Sequence, residues 1–392
     1  MNVVRFGVVG LGNMGSYHCN YLDAVEGAKL AAISDIDPKR LESAAAKYPA
    51  AQKFERWQEM IKSGSVDAVL IATPHYQHPE IALAALDADL HVLCEKPAAV
   101  TVKGARQMVG AAARKPQLKF GINFQMRANP VLRKIRDLVQ SGDLGEILRI
   151  TWIVTNWFRT NAYYASGGWR ATWAGEGGGV LINQCPHNLD QLYWLTGMMP
   201  SRVTAVAHIG KTHPIEVEDE VSAILEYAGG ATGHFITTTG EAPGTDRLEI
   251  AGDRGKLVSE GGKISFKMNR KGVREFRETS TQSFATPEAW DAEVPVVRGE
   301  FADNTRTLTQ NFVNGVLKDE PLIAPGSDGV KGLEIGNAML MSGLTRRPVD
   351  LPIDGDEIDA FIATLTKEYG GKKRLATTEA GTDMSASFGR KT

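Results

Sequence analysis

Over residues 1–124 the apolar positions gather into short β-branched runs separated by longer stretches with helical spacing. Phe6–Val9, Leu30–Ser34, Ala68–Ala72, His91–Cys94 and Lys119–Ile122 read as strands. Helices are predicted from Met14, Pro38, Pro79 and Val102. Proline suits the first turn of a helix, where its missing N–H costs nothing. Strands alternating with helices in this way predict a parallel sheet covered by helices.

The pattern changes after Asn123. A helix is predicted from Pro130 to a stop at Gly142, then an alternating strand over Ile147–Thr155. An aromatic, glycine-rich loop follows over Asn156–Gly179, and a helix over Val180–Leu195. From Arg202 to Lys267 strands alternate with glycine-containing turns, which predicts an antiparallel sheet with one face covered. Two more helices are expected over Glu300–Leu317 and Asp328–Leu344, packed back on the body. Lys372–Thr392 is polar and without periodicity, so it reads as a tail or an exchanged arm. The fold expected is an α/β Rossmann domain (1–124) plus an α+β domain with a large, mostly antiparallel sheet (125–371). The second domain would carry substrate binding and oligomerisation.

With 392 residues the chain has room for two domains, and 43% hydrophobic residues supply their cores. A net charge of -2 offers no broad basic face, so neither nucleic acid nor an anionic membrane is an expected partner. No apolar run is long enough to span a bilayer. The strand at Phe6 begins within a few residues of Met1, leaving no room for a charged leader, and a cytoplasmic location is expected. Cys19, Cys94 and Cys185 are few, odd in number and far apart, which suits a reducing compartment.

Chemistry enters at Gly10-Leu11-Gly12-Asn13-Met14-Gly15, which follows a strand and opens a helix. Gly10 permits a tight turn, Gly12 lets a pyrophosphate approach the backbone, and Gly15 lets helix and strand pack closely. The unpaired N–H groups of the helix start then face the phosphates. Asp35 ends the second strand, where a carboxylate bonds the adenosine ribose hydroxyls and repels a 2′-phosphate. NAD is therefore the expected cofactor. Lys39 and Arg40 read as a solvated first helical turn.

Further segments resemble one family. Ile71-Ala72-Thr73-Pro74-His75-Tyr76-Gln77-His78 and Cys94-Glu95-Lys96-Pro97 are similar to two Rossmann loops of the Gfo/Idh/MocA oxidoreductases. Gly177–Asp190 resembles that family's glycine-rich loop and catalytic helix. Arg247–Gly255 resembles a hairpin of its sheet, and Asp328–Leu333 the start of a late helix. The resemblance implies an active site between two domains and sugars, polyols or related substrates. It implies that Lys96 touches substrate and nicotinamide ribose, that Pro97 is in cis and that His187 is the catalytic histidine. Thr73, Pro74, His75, His78 and Glu95 would lie on the cofactor side. No metal is expected, since no third ligand joins the two histidines. Asn183 stands where the family's polyol dehydrogenases usually carry aspartate. An amide cannot take a proton, so it can only position a substrate or His187. Asp190, one turn beyond His187, either orients its ring or is solvated.

The loop residues Trp157, Arg159, Tyr163 and Arg170 offer flat faces to sugar rings and forked donors to hydroxyls. Arg170 is assigned to the cofactor, the other three to substrate. Core packing is the reading for Trp152, Phe158 and Trp173. Asn123, Gln125 and Arg127 match the family segment that joins the domains, and Asn123 and Arg127 are expected at the substrate.

The function expected is hydride transfer to NAD from a secondary alcohol of a sugar, glycoside or polyol. The alternative is an NAD-dependent glycosidase that oxidises transiently, eliminates, hydrates and re-reduces; Tyr163, Tyr164 and His75 are its candidate acid and base. A non-catalytic NAD sensor is a third reading, disfavoured by the presence of both Lys96 and His187. Val221, Ile224 and Phe235 lie at strand spacing, so a free face of the sheet is expected to pair with a second copy in a homodimer or homotetramer.

Overall fold

The structure is a computed structural model that describes residues 2–296 and 304–376. In chain order the first sheet and its helices are β1 (Val4–Val9), α1 (Asn13–Tyr21), β2 (Ala28–Ser34), α2 (Pro38–Lys47), β3 (Gln52–Phe54), α3 (Trp57–Lys62), β4 (Ala68–Ile71), α4 (Gln77–Asp87), β5 (His91–Cys94), α5 (Val102–Ala113) and β6 (Phe120–Ile122). The six strands are parallel in the order β3-β2-β1-β4-β5-β6. The order reverses between β1 and β4, and in open α/β sheets that switch point opens a ligand crevice beyond the carboxyl ends of the strands. The loops after β1, β4, β5 and β6 all reach that edge. They carry Gly10, Thr73, Lys96 and Asn123 respectively.

The second body follows with α6 (Pro130–Gln140), β7 (Ile147–Val154), α7 (Asn161–Ala165), α8 (Pro186–Thr196), β8 (Arg202–Ile209), β9 (Glu218–Glu226), β10 (Thr232–Thr238), β11 (Asp246–Gly252), β12 (Gly255–Glu260), β13 (Lys263–Asn269), α9 (Val273–Thr279) and β14 (Ala289–Ala292). The chain ends with α10 (Asn304–Lys318), α11 (Gly329–Thr345), β15 (Val349–Asp350) and α12 (Gly355–Tyr369). Nine strands form one sheet in the order β14-β13-β12-β11-β7-β10-β9-β8-β15, with β7 and β10 its parallel pair. This is the Rossmann sheet plus a mostly antiparallel second sheet expected from the pattern. Helix α10 returns to the first body, where Phe312 meets Phe6 with ring centroids 6.1 Å apart.

Several local expectations change. The helix predicted over Val180–Leu195 begins only at Pro186, its N1 residue. Val180–Cys185 is a series of turns instead, tied to β9 by Val180 N–H donating to Glu218 O. Phe158 is exposed, whereas Trp152 and Trp173 are buried. Val221 and Phe235 lie on the buried face of the sheet, and of the three named residues only Ile224 is on the open face. The Glu300–Asp303 start of the predicted helix lies outside the described residues, as does 377–392 of the tail. Residues 372–376 do pack: Lys373 Nζ donates to Gly167 O and Arg170 O at 3.3 and 2.8 Å.

Candidate active site

The glycine loop is as tight as its composition requires. Gly10 has φ +89° and a Cβ there would lie 2.7 Å from Ala72 O. A Cβ on Gly15 would stand 1.7 Å from Gly10 O, so the α1–β1 contact excludes every other residue. Gly12 differs: a Cβ there would meet only Arg40 Nη1, at 3.9 Å. Its backbone is open toward the crevice, and no side chain caps the N-terminus of α1. Asp35 stands beside this loop, accepting from Leu11 N–H at 2.6 Å and Asp37 N–H at 2.8 Å. Nearby, Thr73 Oγ1 is buried with no partner in the protein. An uncapped helix start, open glycine backbone, a carboxylate at the end of β2 and an orphan hydroxyl all fit a dinucleotide. Arg40, expected to be merely solvated, is exposed but also pairs with Asp37 at 3.4 Å and leans over Gly12. With Asp35 in this place, titration of the purified protein is expected to show tighter binding of NAD than of NADP. Tighter NADP binding would overturn the role given to Asp35.

The β5 loop is braced from behind. Glu95 Oε1 accepts from His18 Nε2 at 2.7 Å and from Asn123 Nδ2 at 2.6 Å, and these contacts outweigh burial to hold its pKa down at about 2. His18 comes from α1, so the cofactor helix is tied directly to the residue before Lys96. The Lys96–Pro97 bond is cis. Lys96 Nζ donates to the backbone carbonyl of Asn183 at 3.0 Å. Burial lowers its pKa, partly offset by Glu95 and Glu176.

His187 lies in the first turn of α8, with its ring edge-on to Phe124 at 6.4 Å between centroids. It is buried, and neither ring nitrogen has a hydrogen-bond partner in the protein. Burial, helped by the Lys96 charge, pushes its pKa down to about 3. His187 is thus a neutral imidazole with two unused nitrogens beside an ammonium.

The substrate loop closes over these groups. Tyr163 OH accepts from Arg170 Nη1 at 2.9 Å and from Gln184 Nε2 at 3.3 Å. The guanidiniums of Arg170 and Arg159 lie 4.7 and 5.0 Å from the Tyr163 ring centroid, and Arg159 also covers Trp157 at 5.3 Å. Tyr163 OH donates to Asn183 Oδ1 at 3.4 Å. His75 Nδ1 contacts Glu176 O at 3.0 Å. Lys96, Asn183, Tyr163, Arg170 and His75 therefore form one cluster, although they come from three distant segments.

Some expected site residues lie elsewhere. Arg127 is fully buried and its donors are consumed by Asp190, Asp328 and Ile323 O, so it is corrected from substrate contact to scaffold. Asp190 serves Arg127 and orients no histidine. His78 spans Pro97 O and Thr73 O, each at 2.8 Å, which ties the loops after β4 and β5 together. Asn123 is also behind the site, on Glu95, with its Oδ1 unpartnered. Glu176 was not anticipated: a lone glutamate before three glycines carries no sequence signal for a site. Among the described residues no group of three or more His, Cys, Asp or Glu could hold a metal ion, and no helix is long and apolar enough to cross a membrane.

A Rossmann sheet with an open glycine loop, together with a partly buried lysine and a buried histidine, defines an oxidoreductase of the dinucleotide-binding class. Residues 4–124 match the oxidoreductase family with an NAD-binding Rossmann fold (GFO/IDH/MocA), and residues 132–258 match the GFO/IDH/MocA C-terminal domain. The chain belongs to this family and is an NAD-dependent oxidoreductase. It is 26% identical over 360 residues to the myo-inositol 2-dehydrogenase of Thermotoga maritima, covering 89% of this chain and 98% of that one. It is 32% identical over 241 residues to the rhizopine catabolism protein MocA of Rhizobium meliloti, covering 59% and 70%. The WlbA dehydrogenase from Bordetella pertussis, solved in complex with NADH and UDP-GlcNAcA, superposes with a TM-score of 0.75 at 26% identity, over 90% of this chain and all of that one.

Proposed function

We propose that the protein oxidises a secondary alcohol of a sugar, glycoside or polyol, with Lys96 and His187 as its catalytic residues. The observation that carries this reading is a buried His187 with no hydrogen-bond partner of its own, close enough to feel the Lys96 charge. NAD, when bound, accepts the hydride from the carbinol carbon. His187 takes the hydroxyl proton on the one unprotonated nitrogen of its neutral ring, which no protein group occupies. The Lys96 ammonium stabilises negative charge developing on the oxygen. Tyr163, Arg159 and Trp157 give the ring a flat wall and donors for its other hydroxyls. The relatives named for inositol and rhizopine catabolism support a polyol or sugar as substrate.

The test is a panel of myo-inositol, D-glucose, D-glucuronate and alkyl glycosides, each with NAD, following NADH fluorescence. NADH formation with at least one member is expected. Binding of NAD with no turnover of any member would return the protein to the sensor reading.

The buried state of His187 also fixes a pH dependence. A histidine with its ordinary pKa near 6.5 loses base function below about pH 6. With its pKa lowered to about 3, His187 remains a neutral acceptor throughout that range. The kcat/KM for alcohol oxidation should therefore show no acid limb at the ordinary histidine value. A limb there would contradict the environment assigned to His187.

The open face of the nine-stranded sheet supports a homo-oligomer. Val206, Ile224 and Ile236 are exposed on it, and Ser222 of β9 pairs with both Val206 and Ile236. Exposed apolar side chains on three neighbouring strands of one sheet face suit docking of another copy. Light scattering at micromolar concentration should give a dimer or tetramer mass; a monomer would refute this assembly.

A further inference from the structure

Glu176 is a buried carboxylate that hydride transfer, as described above, leaves without a role. It ends the substrate loop just before Gly177, and only 2% of it is exposed. Its Oε2 accepts the Ala171 N–H at 2.6 Å. Its Oε1 accepts the side-chain amide of Asn183. Burial raises the Glu176 pKa against the opposing pull of Arg170, the Ala171 N–H, the Asn183 amide and Lys96; in its ionised form the carboxylate has no donor and can face only the NH2 end of an amide. Asn183 Oδ1 is thereby turned away from Glu176 and toward Tyr163.

The direction matters because the charged neighbours, Lys96 and Arg170, are donors only. Lys96 has only N–H groups to offer, and so has the Arg170 guanidinium. Tyr163 OH already receives Arg170 Nη1 and Gln184 Nε2, which fills both of its acceptor positions. A sugar hydroxyl entering this cluster finds more donors than acceptors. Asn183 Oδ1, with two lone pairs and one long contact, is one acceptor open to it, alongside the unbonded His75 Nε2 and the unpartnered Gln184 Oε1.

We propose that Glu176 is a specificity-determining positioning residue: by holding the NH2 end of Asn183, it makes the pocket present a carbonyl oxygen that receives a substrate hydroxyl. This rests on the reading of Asn183 and Lys96 as substrate contacts. The substrate class it selects bears a hydroxyl donor next to the carbinol being oxidised, as vicinal diols of sugars and polyols do. A deoxy or O-methyl compound at that position leaves Oδ1 unpaired and is rejected.

The substitution Glu176→Gln tests the polarity itself. The Ala171 N–H still needs an acceptor, so the new amide oxygen takes the Oε2 place and its NH2 faces Asn183. Asn183 must then flip, and the pocket presents NH2 where it had oxygen. With the panel compound that the native protein oxidises fastest, KM should rise about tenfold, the size of one misdirected hydrogen bond. NAD affinity and the melting midpoint should stay close to native. The paired variant Glu176→Gln with Asn183→Asp restores an acceptor at position 183, since aspartate accepts from the glutamine and still offers an oxygen to substrate. Its KM should return most of the way. A single variant with native KM, or a pair no better than the single, would overturn the proposal. His187→Ala retaining turnover would strike the underlying reading instead and leave the Glu176 result to be judged by KM alone.

Discussion

Lys96→Ala and His187→Ala should each lower kcat/KM by about a thousandfold, the usual loss when a general base or a charge stabiliser is removed. NAD binding should survive both changes. The pyrophosphate is expected at Gly10, Gly12 and the uncapped start of α1, where neither side chain lies. The two losses should not add in the double variant, because both groups act on one hydroxyl. Steady-state kinetics with NAD titration separates these outcomes. If His187→Ala keeps near-native turnover, the histidine is structural and another base serves.

Arg127→Ala should destabilise the protein by about 3–5 kcal/mol, the range seen when one partner of a buried ion pair is removed. Arg127 makes a two-pronged contact to Asp190 at 2.5 and 2.9 Å, and both side chains are only 1% exposed. It also bonds Asp328 at 2.6 Å and lies 5.3 Å from the Phe124 ring and 5.5 Å from the Trp194 ring. Removing it strands the Asp190 charge, whose pKa burial already pushes upward. Adding Asp190→Leu should recover much of the loss, since the fully buried charge is then gone and only the partly exposed Asp328 lacks its partner. Thermal or urea unfolding of the single and paired variants measures both. A single variant as stable as the native protein would show that the cluster carries no such energy.

These contacts explain what the sequence could and could not reveal. Strands β1, β2, β4, β5 and β6 were legible because each is a compact apolar run bounded by turn residues. The cofactor loop was legible because three glycines at fixed spacing have one physical use after a strand. Short or edge elements, such as β3, β14 and β15, have too few residues to show a period. Val180–Leu195 read as one helix because its apolar spacing suits one, yet Pro186 and the pairing of Val180 with Glu218 override that spacing. Side-chain pairings were the least legible. Arg127 looked free for substrate because nothing in its own segment neutralises it; its partner Asp190 is 63 residues away. His18 and Glu95 are 77 apart. Glu176 and Asn183 are near in sequence, but only the turn between them brings carboxylate and amide face to face.

The central claim is net hydride transfer from a carbinol carbon, and isotope transfer tests it most directly. A panel substrate deuterated at the oxidised carbon should deliver its deuterium to NAD, giving monodeuterated NADH in amounts equal to the ketone formed. Solvent hydrogen should not enter the nicotinamide, and glycosidic bonds should stay intact. The contrary result is release of aglycone over many turnovers with no accumulated NADH, and solvent deuterium entering the carbon beside the oxidised one. That outcome would replace the dehydrogenase with a glycosidase that oxidises and re-reduces its substrate within one cycle.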